Sequence, residues 1–91
     1  MAQAATVPDA ALPAEATLDT LGPGAAATIT ALTVDPGEAG LLRAMGIAEG
    51  EKVMLLRTGL GGDPLHVRLG SGGEFALARP LARAVRIERT P

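Results

Sequence analysis

The side chains that could hold a metal ion are few in this sequence. His66 is the sole histidine, Asp63 precedes it by three positions, and cysteine is absent. His66 and Asp63 could be taken for metal ligands, but a histidine-based transition-metal site such as that of iron(II) usually takes two imidazoles and a carboxylate. One imidazole with scattered acids would be a weak ligand set. We therefore interpret His66 as a solvated strand residue and predict neither a metal site nor a cofactor.

Catalytic groups are equally sparse. Ser71 is the sole serine and lies in a glycine-rich turn without a base beside it, which argues against nucleophilic catalysis. Glu49 and Glu51 flank Gly50 in another turn, where water would screen both carboxylates. The sequence therefore predicts a protein that is not an enzyme.

A glycine-rich segment, residues 59–64, reads Gly-Leu-Gly-Gly-Asp-Pro and invites comparison with a phosphate-binding loop. It lacks the Lys-Ser/Thr end of such a loop and precedes a strand pattern rather than a helix. The simpler interpretation is a strand connection in which glycines supply positive φ and Asp63-Pro64 returns the chain to the sheet. A third hypothesis is that Leu60, an apolar residue at the tip, docks on a partner.

Composition narrows the other function classes. From residue 18 onward eight basic and eight acidic residues cancel, and Phe75 is the sole aromatic, so the chain lacks the charge and stacking surfaces of a nucleic-acid binder. Residues 1–17, rich in Ala, Pro and Thr, read as a flexible tail with no secretory-signal pattern, and residues 18–91 as one domain. No run of 18 apolar residues is present, and the absence of cysteine suits a reducing cytoplasm.

A helix is predicted over residues 36–45. Asp35 can cap it, Pro36 suits its first position, and Glu38 completes a capping-box pattern. Gly46 is placed to end the helix with a positive φ, which would let Ile47 fold back onto Leu42. Because Gly37 and Gly40 weaken the helix, packing must hold it, and the residues expected to pack are Leu41, Leu42 and Met45.

Short apolar segments separated by glycine-rich turns predict strands around this helix. One strand alternates around Ile29, residues 53–56 are apolar on both faces and so predict a strand covered on both sides, and His66 and Arg68 point outward from the next strand. Residues 74–78 follow the turn at residues 70–73, and a helical turn at residues 80–83 precedes the last strand. The fold class is therefore mainly β: a small, partly open, SH3-like barrel of about five short strands, with one short helix between the first two and a helical turn before the last. The predicted core consists of Leu21, Ile29, Leu32, Leu42, Met45, Ile47, Val53, Leu55, Val67, Leu69, Phe75, Leu77, Val85 and Ile87.

The order and spacing of several short motifs resemble the FeoA family. The strongest is Leu-Arg-x-Met-Gly-Ile-x-x-Gly-x-x-Val-x-Leu-Leu-Arg at residues 42–57, preceded by Leu-x-x-Leu-x-Pro-Gly at residues 18–24 and followed by Gly-Asp-Pro at 62–64 and Phe-Ala-Leu at 75–77. The chain departs from the family pattern at Ala78, where a basic residue is common, and at Pro80-Leu81, where acids are common. The turn at residues 70–73 is also longer than usual.

The resemblance implies a small, cytoplasmic, non-enzymatic accessory of ferrous iron transport that binds or regulates the cytosolic GTPase part of a FeoB-type permease. An alternative is a free-standing regulatory module related to the carboxy-terminal domain of metal-dependent repressors. Transition-metal binding is implied by the family resemblance and not by ligands visible in the sequence. Arg43 and Arg57 could pair with partner acids or remain ordinary surface arginines. Exposed strand edges leave self-association open. The residues expected at the partner interface are Arg43, Met45, Gly46, Ile47, Leu60, Gly61, Gly62, Asp63 and Pro64.

Overall fold

The computed structural model describes residues 16–89. It contains one antiparallel sheet in the order β4-β3-β2-β1-β5, with a helix between the first two strands and a short helix before the last. The predicted fold class is confirmed. The strands are β1 (Ala26–Leu32), β2 (Lys52–Thr58), β3 (Leu65–Leu69), β4 (Glu74–Leu77) and β5 (Val85–Arg89), and the helices are α1 (Pro36–Ala44) and α2 (Arg79–Ala82).

Helix α1 begins as its sequence predicts. The Asp35 carboxylate accepts a hydrogen bond from the backbone N–H of Glu38 at 3.0 Å, and Pro36 occupies the first turn, where its missing N–H costs nothing. The helix therefore starts at the predicted residue and ends one residue earlier than predicted.

The end of α1 is a complete Schellman motif. Gly46 has a φ of 97°, its N–H donates to the Arg43 carbonyl at 2.9 Å, and the Ile47 N–H donates to the Leu42 carbonyl at 2.9 Å. Gly46 thus turns the chain back so that Ile47, 1% exposed, enters the core beside Leu42.

The packing of α1 differs from the prediction. Ala39 and Leu42 are buried, whereas Leu41 is 64% exposed and Met45 is 37% exposed. A helix of nine residues buries only a narrow stripe, and the i, i+3 pair of Ala39 and Leu42 fills it. Leu41 lies about 100° around the helix from Leu42, so apolar type alone did not reveal which leucine faces the sheet.

Strand β2 also differs from the prediction that both its faces are covered. Val53 and Leu55 are buried, but Met54 is 36% exposed and Leu56 is half-buried. Alternate strand residues point to opposite faces, and the sheet turns only one face toward its core. Residues 16–89 therefore leave the outer face of β2 only partly covered.

The core lies on the inner face of the sheet. Most predicted members are buried, but Met45 is exposed, and Leu32 and Phe75 are only half-buried. Four core members were not predicted: Leu18 from the 3₁₀ turn Leu18–Thr20, Ala27 from β1, Leu65 from β3 and Ala82 from α2. The largest fully buried side chains are Leu18, Ile29, Ile47, Leu55, Leu65, Ile87, Val53, Val67 and Val85.

The chain enters the described part along β5. The Ala16 carbonyl accepts a hydrogen bond from the Ile87 N–H at 2.9 Å, and Thr17 forms a bridge with Arg86. The predicted tail therefore lies outside the described residues except for its last two positions. No helix within residues 16–89 is long and apolar enough to cross a membrane.

Candidate functional site

The first segment predicted to contact a partner is the helix-end turn (residues 43–47), which turns inward at its last two residues. Ile47 is 1% exposed, so its side chain belongs to the core, and we leave it out of the candidate surface. Gly46 is half-buried, and a Cβ at this position would lie 3.1 Å from Leu69 Cδ1. Arg43, Ala44 and Met45 present side chains to solvent.

Arg43 already has a partner within the chain. Its Nε donates to Glu49 Oε1 at 3.1 Å and its second guanidinium nitrogen donates to Glu49 Oε2 at 2.8 Å, a bidentate pair with both side chains partly exposed. The hydrogen bond from Arg43 lowers the pKa of Glu49 to about 2 and, reciprocally, raises the pKa of Arg43. The pair is therefore a strap that joins the end of α1 to the following turn. Of the two roles predicted for Arg43, this is the ordinary surface salt bridge.

The second segment, the Leu60 loop (residues 59–64), turns outward. Leu60 is 99% exposed, the largest exposed fraction among the apolar side chains that the structure describes. The loop is nevertheless closed by its backbone, because the Gly59 N–H donates to the Pro64 carbonyl at 2.8 Å and the Gly62 N–H donates to the Gly59 carbonyl at 2.9 Å. A defined turn thus holds an apolar side chain in water.

Two glycines of the Leu60 loop have the positive φ that the sequence predicts. The φ of Gly61 is 73° and that of Gly62 is 87°. Gly59 is required for a different reason: a Cβ there would lie 2.5 Å from the Asp63 carbonyl oxygen. The loop precedes β3, so it has the context of a strand connection and not of a phosphate-binding loop.

Arg79 anchors the Leu60 loop to the domain. Its backbone N–H donates to Asp63 Oδ1 at 3.0 Å, and its side-chain Nε donates to the Gly62 carbonyl at 2.9 Å. The other end of the guanidinium donates to the Asp19 carbonyl at 3.2 Å and lies 3.7 Å from the Asp19 carboxylate. The Asp19 carboxylate also accepts from the Thr17 hydroxyl and lies 3.6 Å from Arg83.

This arrangement, which we call the Arg79 clamp, joins three distant parts of the sequence. Sequence reasoning missed Arg79 and Asp19, because their 60-residue separation leaves no local pattern. The one available signal was the shift of the basic residue from position 78, where the family commonly has it, to position 79.

The two predicted segments lie near opposite ends of β3. The Leu60 loop leads directly into Leu65, whereas Gly46 lies against Leu69 at the other end of the strand. Four strand steps correspond to about 13 Å. Nothing in the described part joins the two segments into one continuous surface, so the Leu60 loop and the helix-end turn are separate candidates.

Groups that could do chemistry are dispersed. His66 is half-buried, opposite Arg57 on β2 and Ala76 on β4, and within residues 16–89 no three His, Cys, Asp or Glu side chains group as metal ligands. Glu51 accepts a hydrogen bond from the Ser71 backbone N–H at 2.9 Å, and Glu49 is paired with Arg43.

The family model for the FeoA domain matches residues 16–89. The chain belongs to the FeoA family. This family is linked to ferrous iron transport and is not a known enzyme family. The matched residues include both candidate segments and the Arg79 clamp. No curated protein sequence matches the chain.

Solved FeoA structures share the fold. The FeoA protein from Chlorobium tepidum has a TM-score of 0.77 at 24% identity, with 84% of this chain and 71% of that chain covered. FeoA from Stenotrophomonas maltophilia, described as a prokaryotic SH3 domain protein complexed with zinc, has a TM-score of 0.68 at 30% identity, with 80% of this chain and 89% of that chain covered. The identity and coverage of the Stenotrophomonas maltophilia protein support the same family assignment as the family model.

The fold also occurs inside larger proteins. A manganese-dependent transcriptional repressor in complex with manganese matches with a TM-score of 0.75 at 20% identity. The match covers 82% of this chain but only 36% of the repressor. At this identity the likeness shows the fold alone.

Proposed function

We propose that this FeoA-family chain is a non-enzymatic cytoplasmic accessory of ferrous iron uptake, and that it binds the cytosolic GTPase region of a FeoB-type permease through the Leu60 loop. Family membership supports the link to ferrous iron transport. The relative from Stenotrophomonas maltophilia is described as a candidate activating factor of such transport. In this proposal the chain contributes an interaction surface, and the iron is the cargo of the permease.

The observation that carries the proposed contact is the 99% exposure of Leu60 on a backbone-closed loop. A leucine held in water gains about 1.5–3 kcal/mol when a partner buries it. Because hydrogen bonds already fix the loop, little conformational entropy remains to be lost on binding. A preorganised apolar anchor of this kind is a typical centre of a protein interface.

An NMR titration of the chain with the purified GTPase region tests the proposal. We expect amide shifts centred on residues 59–64, loss of detectable binding for Leu60→Asp, and binding roughly 10- to 100-fold weaker for Leu60→Ala. The matched control is Leu41→Asp on α1, since Leu41 is also an exposed leucine, at 64%. Unchanged binding of Leu60→Asp would refute the contact.

The helix-end turn is the competing surface in the same experiment. Shifts confined to residues 43–47, with Leu60→Asp binding normally, would move the interface to Met45 and Arg43. Iron(II) alone, added without oxygen, forms a parallel sample. Broadening centred on His66 would show that iron binds there and would contradict the prediction that His66 is not a metal ligand.

A second candidate function is the alternative that the sequence leaves open, a module related to the carboxy-terminal domain of metal-dependent repressors. In that case the chain is a regulatory module with no permease partner. A folded chain that gives no shifts with the GTPase region, but binds a repressor protein, would favour this alternative.

A further inference from the structure

A groove opens on the outer face of the sheet where β1, β2 and β3 lie side by side. Its volume is about 290 Å³. Ala26, Met54 and Arg68 cross it from strand to strand, because Met54 pairs with Ala26 on one side and with Arg68 on the other. The groove differs from the Leu60 loop, which lies at the opposite end of β3. Its lining is Ala26, Lys52, Val53, Met54, Arg68, Leu69, Gly70 and Gly72.

Strand β2 carries apolar side chains toward both faces of the sheet. Residues 53–56 read Val-Met-Leu-Leu, and the structure buries Val53 and Leu55 but leaves Met54 36% exposed and Leu56 half-buried. An antiparallel sheet can leave one face in water, but that face is then usually lined by polar residues rather than by residues such as Met54 and Leu56. Residues 16–89 cover this outer face only in part, so Met54 is open to another segment or another molecule.

The first fifteen residues of the chain can reach this face. They join the described part at Ala16, whose carbonyl is hydrogen-bonded to the Ile87 N–H of β5. Only β1 lies between β5 and β2, so two strand spacings, about 10 Å, separate β5 from β2. Fifteen residues span up to about 50 Å when extended, which is ample.

Charge favours the same segment. Residues 1–15 contain Asp9 and Glu15 but no lysine or arginine. Lys52 and Arg68 flank the groove, and the Arg68 guanidinium also forms an ion pair with the Glu74 carboxylate at 2.9 Å. Lys52 has no ion pair within the described residues, so it is available to a carboxylate.

We propose that residues 1–15 bind in this groove of the same chain, since the segment offers apolar residues for the Met54 face and carboxylates for Lys52 and Arg68. The segment then acts as a built-in ligand that covers the outer face of β2. This interaction is independent of the permease contact proposed for the Leu60 loop, and either one can fail without the other.

Paramagnetic relaxation on the full-length chain tests the proposal. Because cysteine is absent, Ala10→Cys provides a single site for a nitroxide label. We expect the amides of Met54, Arg68 and Gly72 to broaden much more than those of Gly61 and Asp63 in the Leu60 loop. Equal broadening at the groove and at the loop would overturn the proposal.

Variants of the groove locate the contact. Lys52→Glu and Met54→Asp, each in the labelled chain, should lose the excess broadening at the groove, whereas the control Leu60→Asp should retain it. The spectrum of each variant shows whether it is folded, and Lys52→Glu tests the charge without altering the apolar floor. Excess broadening that persists in both folded groove variants would refute the site.

A mixed sample separates this occupant from a second copy. Isotope-labelled chains without nitroxide are combined with nitroxide-labelled chains that carry no isotope. Broadening of groove amides in this mixture, growing with concentration, would place the segment of one copy on another and overturn the intramolecular proposal. No broadening in the mixture, together with strong broadening in the single-species sample, supports it.

Discussion

The helix-end turn and the Leu60 loop are both turns that depend on glycine and contain an apolar residue, yet they direct that residue to opposite environments. Gly46 directs Ile47 into the core, where its side chain is 1% exposed, whereas Gly61 and Gly62 allow a turn that leaves Leu60 99% exposed. In the first turn the apolar residue stabilises the domain, and in the second it is available to a partner. The comparison teaches that glycine beside an apolar residue marks a turn but not the direction of its side chain.

The largest expected difference between the two turns is in stability. Ile47→Ala removes a fully buried side chain and should lower the free energy of unfolding by about 2–5 kcal/mol. Leu60→Ala removes an exposed one and should change it by about 0.5 kcal/mol or less. Urea unfolding of both variants, followed by circular dichroism, measures the pair. Similar losses in the two would mean that Leu60 is buried in solution and would remove the contrast.

The Arg79 clamp gives the Leu60 loop its fixed position, and breaking it is the next largest effect. Arg79→Gln removes hydrogen bonds to Gly62 and Asp19 from a side chain that is mostly buried, and should cost about 1–3 kcal/mol of stability. We also expect faster hydrogen exchange at the Gly62 amide, because its turn loses this support.

Arg83→Gln is the matched control for the clamp. Arg83 contacts the same Asp19 carboxylate at 3.6 Å, but its side chain is largely exposed. Its loss should cost less than about 1 kcal/mol and leave the exchange at Gly62 unchanged. If Arg83→Gln loosened the loop as much as Arg79→Gln, the charge of Asp19 rather than the Arg79 hydrogen bonds would position the loop.

Alanine at the two turn glycines sharpens the comparison at the backbone level. Gly46→Ala and Gly61→Ala each force a side chain into positive φ, which costs about 1–2 kcal/mol. At Gly46 the new Cβ would also lie 3.1 Å from Leu69 Cδ1, whereas at Gly61 nothing lies within 4 Å. Gly46→Ala should therefore be the more destabilising variant in thermal unfolding, and equal losses would show that Leu69 yields without cost.

Local patterns in the sequence predicted much of the fold. The cap at Asp35, the stop at Gly46 and the alternation in β3 depend on residues a few positions apart, and the structure has all three. The predictions for the packing of α1 and for the outer face of β2 were wrong. Both depend on which side of an element faces the core, and local sequence does not determine that. Leu41 and Leu42 are both leucines, and only the tertiary arrangement distinguishes them.

The candidate site was predictable only in part. The Leu60 loop could be predicted as a candidate because a leucine between glycines is conspicuous in the sequence. Its exposure concerns the side chain of this one residue and does not require knowledge of distant contacts. Its support could not be predicted, since Asp19 and Arg79 meet across the whole domain. From the sequence, Ile47 was predicted to lie both in the core and, as part of the helix end at residues 43–47, in the interface. The Schellman turn buries its side chain and leaves that of Arg43 exposed.

The smallest expected effect concerns the strap between Arg43 and Glu49, which distinguishes the helix-end turn from the loop by its dependence on pH. The pKa of Glu49 is lowered from 4.5 to about 2 in the folded chain, mainly by the hydrogen bond from Arg43. A lowered pKa means that the carboxylate contributes stability above about pH 4.5 and that this contribution is lost as the pH falls toward 2. Carbon-detected NMR of the Glu49 carboxyl group should give a midpoint near pH 2 in the native chain and one close to the ordinary value in Arg43→Gln. A native midpoint near pH 4.5 would mean that the salt bridge does not persist in water, and would leave Arg43 available to an acidic partner beside Met45.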